Sequence, residues 1–182
     1  MAKLHPEIDD KLRAFVERQH LFFVATAPAG GEGHVNCSPK GLDSFRILGP
    51  RSVAYIDYYG SGVETIAHLR ENGRIVVMFC AFDGAPKILR FWGRGVVHEP
   101  HEDGFAELLP RFVPAAIPRA IIRIDVERIA DSCGFGVPLY AYEGERTQLP
   151  ASSEKKGEAG YAAYREGKNA RSIDGLPALG VV

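Results

Sequence analysis

The sequence predicts a mainly β fold with a few short helices, an antiparallel sheet curled toward a barrel. Three observations carry this. Apolar, β-branched and aromatic runs recur at short intervals. Turn-forming clusters separate them at hairpin distance. The alternation of strand and helix that builds a parallel sheet appears at most once. Small antiparallel sheets of this kind curl into barrels because closure removes exposed strand edges.

The elements follow in order. Residues 6–19 read as a helix, with Ile8, Leu12, Phe15 and Val16 on one face and Pro6 suited to a helix start. "LFFVATA" (21–27) reads as a buried strand, and "PAGGEG" (28–33) as a turn. "HVNCSPK" (34–40) returns as a second strand, where Pro39 marks an edge or a bulge. Alternation puts Asn36 and Ser38 on one strand face and sends Cys37 the other way, toward the core. "RSVAYID" (51–57) is a third strand, and the next helix stops at Asn72-Gly73.

"RIVVMFCAF" (74–82) and "ILRFWGRGVVHE" (88–99) form a hairpin across "DGAPK". Gly93 and Gly95 in its return strand call for a bend, a bulge or a close backbone approach. "HEDGFAELLP" (101–110) is a short helix and "AIIRIDVERIA" (120–130) a further strand. From about 143 the chain is poorer in apolar residues. Its end is expected to dock through Ile173, Leu176 and Leu179. The expectation is one domain, 1–182, with a core of about 20–130. An extension of about 143–182 would pack on the barrel or on a dimer partner.

Composition narrows the function classes. The chain has 182 residues, 46% of them hydrophobic and 25% charged, which suits a single domain with a real core. A formal net charge of −1 gives no electrostatic case for nucleic acid or an anionic membrane. The longest apolar run, Ile75 to Phe82, is too short to span a bilayer, and the N-terminus lacks a signal-peptide core. Three scattered cysteines suggest no disulfide framework and a reducing cytoplasm.

One stretch carries chemistry. Gly60-Ser61-Gly62 precedes a helix, and Ser61 with Glu64 spells S-x-x-E, a capping box. The same stretch can instead cradle a phosphate. Its glycines permit close backbone approach, free N–H groups face outward, and Thr65 adds a hydroxyl one turn in. Lys40, between Pro39 and Gly41, is a candidate counter-charge. Asn36 and Ser38 could meet the same ligand. G-x-G-x-x-T also echoes a dinucleotide fingerprint, without its third glycine or its parallel sheet. Cys133 in "DSCGFGVP" reads as a small buried thiol, with no histidine near in sequence to activate it. His98 and His101 lack matching partners, so no metal site is assigned.

Taken together, "HVNCSPKG", "YGSGVETIAHLRENGRIVVMFCAF" and "DGAPKILRFWGRGVV" resemble the pyridoxamine 5′-phosphate oxidase-like family of FMN-binding split barrels. "SCGFGVP" and "SIDGLPAL" resemble a bacterial subgroup of unassigned substrate. The resemblance implies a split β-barrel homodimer with FMN at the subunit interface and a small-molecule substrate. It puts Ser61, Gly62 and Thr65 at the flavin phosphate, with Gly60 and Val63 completing the loop. Lys40 would reach the phosphate from the second strand, while Asn36, Ser38 and Pro39 would border the isoalloxazine or ribityl chain.

Departures from the family pattern accompany it. Ile88 stands where the oxidases carry a flavin-contacting Gln. Val63-Glu64-Thr65 replaces a basic phosphate loop, and the C-terminal substrate segment is not recognisable. The expectation is an FMN-dependent oxidoreductase acting on something other than pyridoxamine 5′-phosphate. Its alternative is a non-catalytic flavin carrier or redox sensor. FMN ranks ahead of a deazaflavin or haem. No catalytic acid or base is identified; Arg90, Trp92 and Arg94 could border a substrate opening if they face the flavin.

Overall fold

The computed structural model describes residues 3–180. The sheet has eight strands: β1 (Lys3–His5), β2 (Phe22–Thr26), β3 (Asn36–Lys40), β4 (Phe45–Gly49), β5 (Ser52–Tyr58), β6 (Arg74–Cys80), β7 (Ile88–His98) and β8 (Pro118–Ser132). The helices are α1 (Asp10–Glu17), α2 (Glu64–Asn72), α3 (Asp103–Leu108) and α4 (Gln148–Lys168). Strand order is β3-β2-β6-β7-β8-β5-β4, with β1 added to β8, and every pairing is antiparallel. The sheet curls but does not close. β3 and β4 are consecutive in sequence, yet each forms an open edge, so the barrel is split between them.

The lumen is the main core. Val24, Val53, Tyr55, Val77, Phe79, Leu89 and Phe91 alternate inward along β2, β5, β6 and β7 and are fully or nearly fully buried. α1 closes on it with Leu12, Phe15 and Val16. α2 adds Ile66, Ala67 and Leu69 while packing against β2, β6 and β7. A second cluster lies on the outer sheet face, where Phe105 and Phe112 cover Ala54, Ile56 and Ile121.

Several boundaries move for physical reasons. The first helix starts late because Asp9, not Pro6, caps it, accepting the Leu12 N–H at 2.8 Å. Residues ahead of Pro6 form β1 instead, paired with β8. β4 completes the sheet in a stretch with weak alternation. α4 was not expected: its sequence buries little, Ser153 and Tyr161 only, and it bends at Gly157 (φ 58°).

Other expectations are met closely. Gly73 ends α2 in the left-handed region at φ 70°. A bulge falls between Trp92 and Gly93, where a Cβ at 93 would lie 2.1 Å from the Asp125 carbonyl oxygen. Pro39 sits on an edge strand, where its missing N–H costs no ladder bond.

Three calls from sequence are corrected. Cys37 is exposed: β3 turns Asn36, Ser38 and Lys40 into the lumen, and its other face has nothing packed over it. Cys133 is also exposed, because its glycine-rich turn runs along the surface; Cys80 alone is buried. In the tail, Leu179 is buried and Leu176 packs on the core, but Ile173 is 72% exposed.

A buried polar network in the split of the barrel

The candidate site is built where β3, the end of β5 and the start of α2 meet. Asn36, Ser38 and Lys40 face inward beside Thr26, Val24 and Phe22, their ladder partners on β2. Each then finds a polar partner, as buried polar groups must.

Asn36 is the hub on one side. Its Nδ2 donates to Thr65 Oγ1 at 2.9 Å and to Thr26 Oγ1 at 3.2 Å, and its Oδ1 accepts from Ser38 Oγ at 3.0 Å. Thr26 Oγ1 also lies 2.9 Å from His68 Nδ1, inside the protein. The Thr26 hydroxyl can donate to His68 Nδ1 or accept from it, since its oxygen keeps a second lone pair beside the one that meets Asn36. His68 Nε2 has no partner among the described residues. Burial lowers the His68 pKa against the opposing pull of Asp174, Glu64 and Glu71, so the ring is held neutral.

On the other side stands a buried ion cluster. Asp57 is wholly buried at the end of β5. Its Oδ1 accepts from Lys40 Nζ at 2.6 Å and its Oδ2 from Arg119 Nε at 2.7 Å. Burial works to raise the Asp57 pKa, but Arg119 and then Lys40 outweigh it and hold it at about 2. Arg119 continues into the loop: its Nη1 donates to the Gly62 carbonyl at 2.8 Å and the Gly60 carbonyl at 3.3 Å.

The helix start itself is bare. Ser61 does not cap it. The N-cap is Val63, with no side-chain bond, and Ser61 is exposed two residues earlier. The S-x-x-E box is overturned: the Gly60 and Gly62 carbonyls on either side of Ser61 are bonded to Arg119, and the helix starts at Val63 without a side-chain cap. Glu64 instead reaches the Ile173 N–H at 3.3 Å. The first helical bond, Ala67 N–H to Val63 at 3.1 Å, leaves the N–H groups of Glu64, Thr65 and Ile66 without a backbone acceptor. Thr65 is 3% exposed and accepts from Asn36, so its own hydroxyl proton is also free to donate.

The C-terminal segment of the same chain frames the loop. Asn169, fully buried, donates Nδ2 to the Gly60 carbonyl at 2.9 Å while its Oδ1 has no partner among the described residues. Tyr161 stacks on Tyr59 at 4.2 Å. His34 and Asp174 join the tail to the loop before β3 at 2.6 Å.

The structure thus brings Asn36, Ser38, Lys40, Gly60, Gly62 and Thr65 to one region. It leaves Pro39 on the outer face of β3 and Ser61 at the surface, and buries Val63 in the core. Arg90, Trp92 and Arg94 lie on the outer face of β7, opposite the lumen-facing Leu89 and Phe91. Asp57, Arg119, His68, Thr26 and Asn169 were missed. Asp57 and Arg119 did leave a signal, since each is a charge at the end of an apolar strand and such charges need partners. His68, Thr26 and Asn169 left none.

Among the described residues there is no group of three or more potential metal ligands, and no helix long and apolar enough to cross a membrane.

A sequence model of the family described as pyridoxamine 5′-phosphate oxidase matches residues 8–133. A fungal protein, the pyridoxamine 5′-phosphate oxidase family protein ustO of Aspergillus flavus, is 40% identical over 200 residues, spanning 98% of this chain and 78% of that protein. A candidate pyridoxamine 5′-phosphate oxidase from Lactobacillus delbrueckii shares the fold with a TM-score of 0.54 at 18% identity, over 70% of this chain and 98% of that one. HupZ of Group A Streptococcus does so with a TM-score of 0.51 at 24% identity, over 67% of this chain and 91% of that one.

Proposed function

The chain belongs to the pyridoxamine 5′-phosphate oxidase family, and we propose that it is an FMN-dependent oxidoreductase whose substrate is not pyridoxamine 5′-phosphate. The observation that carries the reading is the uncapped start of α2. Three backbone N–H groups and the Thr65 hydroxyl converge there as donors with no acceptor of their own. A helix N-terminus with spare donors suits a phosphate.

The residues present fit the cofactor. Thr65 and the N–H groups of residues 64–66 would hold the phosphate. Asn36 fixes the Thr65 hydroxyl so that its proton points away from Asn36. Arg119 holds the Gly60–Gly62 turn open by engaging both carbonyls. Asn169 Oδ1, a buried acceptor without a donor, would take a ribityl hydroxyl. Ser38 and Lys40 would border the ring system along β3. Flavin, when bound, supplies the hydride or electron chemistry. The chain's residues position it and exclude water around it.

We carry a homodimer within the same proposal. β3 leaves one edge unpaired and turns Val35, Cys37 and Pro39 outward, a surface a second copy can cover. Three free thiols suit a reducing cytoplasm. A non-catalytic flavin carrier or redox sensor is favoured by one observation: Lys40, Asp57 and Arg119 are engaged with one another, so none stands free as an acid or base. Turnover with any electron donor and acceptor excludes it.

The deciding measurement is a visible spectrum of the natively purified protein, with the released chromophore identified by mass. FMN released in stoichiometric amount supports the assignment. A colourless protein that FMN titration does not change overturns it.

A further inference from the structure

A cavity of about 580 Å³ lies beyond the far end of β3, outside the polar network. Its floor is aromatic and aliphatic: Phe22, Phe45 and Phe79, in mutual contact at 5.0 to 5.6 Å between ring centroids, with Val16 and Ile47 beside them. Its roof comes from the coil after β8. Tyr142 stacks flat on His20, 3.6 Å apart with planes 5° from parallel. Glu145 accepts the Tyr142 hydroxyl at 3.0 Å and the Leu42 N–H at 3.3 Å.

The rim is built with some strain. Leu42 (φ 59°) and Asp43 (φ 49°) are the non-glycine residues with positive φ among those described, and both sit at the β3–β4 corner. The rim charges are already matched: Arg46 with Asp43 at 2.8 Å, Arg13 with Glu17 at 3.7 Å. With Glu145 added, the lining holds three carboxylates against two guanidinium groups. The excess carboxylate disfavours an anionic ligand.

Position completes the case. β3 runs from Asn36, tied to Thr65 at the helix start, to Lys40, and the cavity begins at the next residue, Gly41. Five strand steps span roughly 16 Å. A flavin whose phosphate sits at Thr65 and whose body follows β3 therefore points its ring end toward this cavity.

We infer that the cavity is the substrate pocket, and that it takes a planar aromatic molecule carrying no anionic group. The inference rests on the flavin reading above. Phe45, the partly buried ring of the three, offers an edge-to-face contact to a ligand ring, and the Tyr142–His20 pair offers a flat stacking surface. The excess of carboxylates over guanidinium groups disfavours a phosphorylated substrate. The volume suits a small organic ligand.

The test is titration calorimetry with naphthol and with naphthyl phosphate, on protein loaded with FMN and on protein freed of flavin. Naphthol should bind saturably and shift the visible band of bound flavin, with naphthyl phosphate about ten-fold weaker or more. Ile47→Trp fills the cavity and should weaken naphthol about ten-fold. Tyr142→Ala, at an exposed roof position, should weaken it several-fold, so the result does not hang on Ile47→Trp folding. Equal binding of the two compounds overturns the inference. So does naphthol affinity unmoved by both variants, or a flavin band that naphthol leaves unchanged. Failure of the flavin reading shows separately, as absent FMN binding, and leaves the naphthol response to the two variants to decide the aromatic pocket.

Discussion

Lys40 Nζ lies 2.6 Å from Asp57 Oδ1 inside the barrel, although the two residues sit on strands that never pair. Asp57 is the pivot, since Arg119 takes its other oxygen and passes the connection to the Gly60–Gly62 loop. A lysine that sequence offers as a phosphate ligand is thus held by a buried carboxylate.

Asp57→Asn should be costly. It leaves Arg119, 3% exposed, with its charge uncompensated. Breaking a buried pair from one side costs about 3–5 kcal/mol. Urea denaturation should report a loss on that scale, and a loss below about 1 kcal/mol would mean the cluster is solvated.

Acid should act through the same residue. The folded pKa of Asp57 is about 2 against an ordinary 3.8, so its contribution is fully present above pH 3.8 and lost as pH falls toward 2. The shift corresponds to about 2 kcal/mol. Acid unfolding of Asp57→Asn should lack this component between those pH values.

His68 should make stability fall with pH over a higher window. Burial lowers its folded pKa below 6.5, so the unfolded chain takes up a proton first as pH drops through 6.5. The fall in Tm from pH 7 to pH 5 should be smaller in His68→Gln than in the parent. His98, also lowered by burial, supplies part of what remains.

Thr65→Val should weaken FMN by about 1.5–3 kcal/mol, the range for a hydrogen bond to a charged group. Riboflavin, lacking the phosphate, should lose little. Quenching of flavin fluorescence measures both, and equal losses would place the phosphate elsewhere.

Glu64→Gln should tighten FMN. The carboxylate lies beside Gly62, where a Cβ would meet its Oε2 at 2.5 Å, and it faces the helix start that the phosphate needs. Removing a like charge there should raise affinity a few-fold in low salt, with the gain shrinking as salt is added.

Gly93→Ala should destabilise by about 1–3 kcal/mol, the range for overpacking. Its Cβ would meet the backbone carbonyl of Asp125 at 2.1 Å, which cannot step aside as a side-chain tip can. Thermal unfolding measures it.

What the sequence determined by itself is local. Apolar, aromatic and β-branched runs set off by turns predicted β2, β3, β5, β6, β7 and β8, and alternation put Asn36 and Ser38 on one face. Gly73 stopped α2 and Gly93 marked the bulge, because only glycine suits those backbones. The region of the candidate site drew attention too, since a glycine-rich turn before a helix can cap it or cradle an anion.

What only the tertiary structure decided is partnership across distance. S-x-x-E fits a cap at Ser61, but in the folded chain Arg119, 57 residues from Gly62, bonds the loop carbonyls, and the helix starts at Val63 with no side-chain cap. Alternation sends Cys37 away from Asn36, but only the tertiary structure shows that no described residue covers that outer face of β3. Asp57 needs a partner by its chemistry, and the curl of the sheet chose Lys40 and Arg119. Local propensity sets the dihedrals. The identity of a buried charge's neighbour is set by which strands the barrel brings together.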